Sequence, residues 1–157
     1  MKKLLVLLVG VVATLAVVGQ ASAAKPFTHA TGGVTLADPT QNLSFNAFDY
    51  GTTGDRGQVT YANPGAGVSY TASVFCANVD PATNTALFAY QIPPGNGGLS
   101  GLYIVWKVVD GGTPGTNGDT AGFVVPPDQA SATAACNNLA TGVTNYAITD
   151  GNLVVHG

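Results

Sequence analysis

Any chemistry in this chain must come from a short list of side chains: two histidines, two cysteines and eight aspartates, with no glutamate. Nucleophilic catalysis needs a base beside a serine or cysteine. The only imidazoles, His29 and His156, lie near opposite edges of the sequence, and no G-x-S-x-G elbow exists. Both read as polar residues at strand ends. If the first and last strands pair, the two imidazoles would approach each other and form a weak candidate for a metal site. Nearly every aspartate stands beside Gly, Pro or Thr. In such turns the carboxylate commonly bonds its own backbone two residues on, so the carboxylate pair of a glycosidase is not expected.

One loop invites a sharper reading. Asp110, Asn117 and Asp119 bring hard oxygen ligands together in a way that would suit Ca²⁺, although the regular spacing of an EF-hand is missing. No other cofactor is expected. Cys76 and Cys136 belong to no C-x-x-C motif and have no histidine nearby in sequence. They are expected to form one disulfide, worth roughly 4 kcal/mol by the chain-entropy account. Of the aromatic residues, most share faces with Val, Ile or Leu and read as core. Tyr103, on the same face as Lys107, is the candidate for an exposed exception; Trp106 would line a cavity if the interior holds a ligand.

A scaffold for these residues is written in the composition. Beyond the first 23 residues, strong helix formers are scarce, and Gly, Thr, Val, Asn, Asp and aromatics dominate. Period-two alternation recurs between Gly, Pro and Asp turns. Leu43, Phe45 and Ala47 share one face, as do Val59 and Tyr61, and then Ala86, Phe88, Tyr90 and Ile92. The cleanest strand, Val68–Cys76, places Val68, Tyr70, Ala72, Val74 and Cys76 on one inward face. Leu102–Val109 is apolar on both faces except at Lys107, as a central strand would be. A short helix is expected within Gln129–Ala140, capped by Asp128, and a hairpin around Asp150-Gly151 joining Val143–Ile148 to Leu153–His156. The fold class is therefore all-β: a single-domain antiparallel β-sandwich of jelly-roll kind, or a small β-barrel, with at most one short helix. No internal repeat stands out.

The first residues carry a different message. Lys2 and Lys3 precede an apolar run from Leu4 to Val18, and Ala21-Ser22-Ala23 has the small-x-small pattern of a cleavage site. The expected organisation is a signal peptide over residues 1–23, cleaved after Ala23, a leader over 24–33 and one β domain over 34–157. Secretion to the extracellular space follows, with no transmembrane segment in the mature chain. Lys25, Arg56 and Lys107 are its only strong bases against eight aspartates, a balance that argues against nucleic acid and anionic membrane surfaces.

Several fragments taken together resemble a known pattern: Ala30-Thr31-Gly32-Gly33, Phe45-Asn46-Ala47, Gly57-Gln58-Val59-Thr60-Tyr61, Val108–Gly115 with Gly118-Asp119-Thr120, and Gly151–His156. They are similar to a family of small secreted bacterial all-β proteins and modules of unassigned activity. In that family an FGFNA-like strand, G-x-V-x-Y, a V-x-DNG-x-PG-x-x-D turn and a terminal GGN-I-x-[VI]-H recur. The resemblance covers nearly all of the chain after the signal and carries over no catalytic residue. The expected role is that of a secreted, non-enzymatic binding, surface or structural module. A carrier of a small apolar ligand inside a barrel is the alternative, and an extracellular hydrolase the third reading.

Overall fold

The computed structural model describes residues 27–37, 40–51, 54–112 and 118–157; the segment expected to be a signal peptide, residues 1–23, and Asn117 lie outside them. Eight antiparallel strands close into a barrel: β1 (Thr28–Leu36), β2 (Gln41–Asp49), β3 (Arg56–Asn63), β4 (Val68–Asp80), β5 (Thr85–Gln91), β6 (Tyr103–Val109), β7 (Thr120–Val124) and β8 (Thr144–His156). Each strand pairs with its neighbour in sequence, and β8 closes on β1. Of the two architectures left open by the sequence, the chain adopts the barrel. Eight strands enclose an interior just wide enough for side chains to fill.

Period-two alternation sets what fills it. Leu43, Phe45 and Ala47 of β2 point inward while Asn42 and Ser44 are exposed, as their alternation predicts. Phe88, Trp106, Val59, Leu36 and Leu153 complete the core. Strand β5 is buried along almost its whole length because it has two dry faces. Ala86, Phe88 and Tyr90 face the barrel, whereas Leu87 and Ala89 face a second cluster outside it. The helix α1 (Gln129–Cys136), in the β7–β8 connection, covers that outer cluster with Ala132 and Cys136, one helical turn apart. Its cap is the one expected: the Asp128 carboxylate accepts from the Ser131 N–H at 2.7 Å. None of the described helices is long and apolar enough to cross a membrane.

The disulfide forms between Cys76 and Cys136, with Cα atoms 6.4 Å apart and a separation of 60 residues. Cys76 does not point into the barrel, however. Strand β4 pairs Val74 with Tyr90 and Cys76 with Ala89, so the register slips at Phe75. This bulge turns Cys76 outward, beneath α1, and returns Ala77 and Val79 to the core. A bulge is invisible to an alternation count that runs straight through it.

Two further expectations are corrected. Of the segment read as a leader, Thr28–Gly33 is the first half of β1. Gly32 is an inward position of this strand that must stay small because its neighbours need the space. A Cβ on Gly32 would lie 2.7 Å from Leu153 Cδ2 and 2.8 Å from Phe45 Cε1. The terminal hairpin does not form either, since β8 runs unbroken from Thr144 to His156. Gly151 (φ +107°) lies just past a bulge at Thr149, where its backbone approaches Gly33 so closely that a Cβ would collide with the Gly33 carbonyl. A turn dipeptide supplies positive φ, which a bulge needs as much as a hairpin does.

One device occurs twice, and the sequence reading did not find it. Strands β4 and β8 each have 13 residues and pair with the preceding strand in their first part and the following one in their last. Beyond the end of the preceding strand, their backbone N–H groups would be unpaired. The Asp49 carboxylate accepts from Gly51 and Val79, and that of Asp55 from Tyr50 and Ala77. Likewise Asp110 accepts from Gly112 and Val155, and Asp119 from Gly111 and Leu153. The β2–β3 and β6–β7 connections thus cap β4 and β8 through the same four-bond pattern.

Candidate functional site

The closed barrel has two chemically different ends. At one, the ends of β3, β5 and β7 and the starts of β4 and β6 surround a cavity of about 140 Å³. Tyr61, Tyr70, Tyr90, Trp106, Ile104 and Phe123 form much of its wall, and Leu99 and Leu102 of the β5–β6 connection close one side. Leu102 and Val125, also on the lining, are among the few exposed large apolar side chains of the described residues, so the cavity is rimmed by apolar surface. None of the described residues that line it carries a charge.

The inward faces of the strands place these residues. Tyr61 and Tyr70 are register partners on β3 and β4, with ring centroids 5.3 Å apart. Tyr90, fully buried on β5, lies beneath them. Trp106 Nε1–H donates to the Tyr90 hydroxyl at 3.1 Å, and the Tyr90 and Tyr70 hydroxyls share a hydrogen bond of 3.1 Å. The Tyr61 hydroxyl donates instead to Gln41 Oε1, at 2.7 Å. Burial disfavours the phenolate, and it pushes Tyr70 up to about 12 and Tyr90 well above its ordinary value; Tyr61 is raised for the same reason. All three therefore present neutral phenols to an otherwise apolar wall.

The sequence candidates separate accordingly. Trp106 is buried in the barrel core and also borders the cavity. Tyr103 is no exposed platform; half-buried on the outer face, it packs edge-on against Phe75 at 6.2 Å in the cluster beneath α1. Lys107, on the same face, donates to the Leu139 and Thr141 carbonyls and so fastens the chain that follows the helix. Asp110 and Asp119 are close to each other, but each of their carboxylate oxygens accepts a backbone N–H, the structural role described above.

At the opposite end, β1 and β8 bring His29 and His156 together as register partners, with rings stacked at 4.7 Å. Phe27 and Phe48 extend the stack and Tyr50 adjoins it, with the Arg56 guanidinium 4.6 Å from the centre of the Tyr50 ring. Burial, with His156 beside it, holds the His29 imidazole below its usual pKa. Among the described residues, no group of three or more His, Cys, Asp or Glu is placed to hold a metal ion. The sequence reading missed the roles of Tyr70 and Tyr90. The available signal was that both fall on inward faces near strand ends that meet.

By fold and site the protein is an eight-stranded up-and-down barrel with a phenol-lined apolar mouth. Comparison of the chain with protein-family models, with curated proteins and with solved structures finds no match.

Proposed function

We propose that the protein is a secreted, non-enzymatic binding module that takes a small apolar molecule into the mouth of its barrel. The observation that carries this reading is the uncharged cavity of about 140 Å³ with exposed Leu102 and Val125 at its rim. An apolar cavity of similar size, about 150 Å³, is known to bind benzene or xenon. Secretion is supported by the N-terminal pattern and by a disulfide that suits an oxidising compartment. A role without chemistry is supported by the engagement of the turn aspartates with backbone N–H groups and of the histidines with each other.

Trp106 is the only tryptophan and lines the cavity, so its fluorescence reports occupancy. Titration with toluene should change that emission saturably, with one site per chain, and should raise the melting temperature. A linear, unsaturable response would overturn the reading. A second reading, a surface module, is favoured by the aromatic stack at the other end, where Phe27 is 44% exposed. It would recognise partners through that patch.

A further inference from the structure

The three polar groups at the floor of the cavity do not balance. Trp106 Nε1–H, the Tyr90 O–H and the Tyr70 O–H supply three protons, but only two hydrogen bonds join the groups. Tyr90 accepts from Trp106, since the indole nitrogen can only donate. The second bond has two possible directions. If Tyr70 donated to Tyr90, the proton left over would be that of Tyr90, which is fully buried. Leaving a buried donor without an acceptor is costly. If Tyr90 donates to Tyr70, the remaining proton is on Tyr70, which lines the cavity and is 8% exposed. The second direction costs less, and it gives a relay from indole to phenol to phenol ending in a donor at the ligand space.

From this proton count we infer that the cavity selects small neutral molecules carrying one hydrogen-bond acceptor on an apolar body, with Tyr70 as the donor that reads the acceptor. Ketones, esters and ethers fit this description. Among the described residues the wall has no cation to hold a carboxylate, and burial keeps the Tyr70 proton in place well above neutral pH. The inference rests on the proposed binding role of this cavity and names the class of molecule bound.

A matched pair of probes separates the two claims. Acetophenone and α-methylstyrene have nearly the same shape, but only the first carries an acceptor. Both should bind the native protein, and Tyr70→Phe should lower the ratio of acetophenone to α-methylstyrene affinity about tenfold, whatever it does to the binding of both. Infrared spectra provide a readout that does not depend on affinity. The carbonyl stretch of bound acetophenone should be red-shifted in the native protein relative to Tyr70→Phe. Equal effects of the substitution on both probes, with no infrared difference, would overturn the selection by Tyr70 and leave the binding role standing. If neither probe binds the native protein, both claims fall.

Discussion

At the scale of single residues, burial decides which polar groups carry information. The phenols of Tyr70 and Tyr90 were legible in the sequence as inward-facing aromatics. Their partnership was not, because it depends on strands β4 and β5 meeting with a slipped register. The same slip defeats the expectation that Cys76 points inward, although the disulfide itself could be read from two cysteines in a chain expected to be exported. The phenols also set a pH dependence. The folded state holds protons on Tyr70 and Tyr90 that the unfolded chain releases near pH 10. Their contribution to stability is thus complete below pH 10; that of Tyr70 is lost as the pH rises from 10 through about 12, and that of Tyr90 is also lost only at strongly alkaline pH. Alkaline titration followed by phenolate absorbance should show these two tyrosines ionising only as the protein unfolds. Ionisation of all six tyrosines near pH 10 in a still-folded protein would contradict the buried network.

Among the elements, the turns prove as informative as the strands. Glycine and aspartate marked most of the loops, though not at Asp150-Gly151, which lies within β8; the aspartate carboxylates serve distant strands as well as their own turns, and a local reading detects only the second function. The spacing that betrays the duplication is visible in retrospect. Asp49-Tyr50-Gly51-Thr52-Thr53-Gly54-Asp55 and Asp110-Gly111-Gly112-Thr113-Pro114-Gly115-Thr116-Asn117-Gly118-Asp119 share an opening D-x-G-T-x-G and a closing Gly-Asp. Removing an acceptor should therefore cost far more than a loop substitution. Asp119→Ala leaves the Gly111 and Leu153 N–H groups without their partner, at about 2–3 kcal/mol. Asp49→Ala should cost a similar amount through Gly51 and Val79, and Asp119→Asn, which keeps one acceptor oxygen, should cost less. Denaturant melts measure all three. Losses below about 0.5 kcal/mol, usual for surface positions, would show that the caps do not hold β4 and β8.

Over the whole molecule, up-and-down closure leaves no free sheet edge and concentrates distinct surfaces at the two ends. The sequence displayed nearly all the strands and their faces, yet it could not choose between sandwich and barrel. That choice rests on β8 running straight through Asp150-Gly151 to pair with β1, where the local signal favours a turn. The proposed ligand site is the end lined by Tyr61, Tyr70, Tyr90 and Trp106, and the end carrying His29, Phe48 and His156 is the one proposed for structural or surface roles. A map of backbone amide chemical shifts during titration with acetophenone tests this division most directly. Saturable shifts should cluster on Tyr61, Tyr70, Tyr90, Leu99, Trp106 and Phe123, while His29, Asp49, Gly111 and His156 remain still. Shifts confined to the histidine end, with the tyrosines unmoved, would contradict the account.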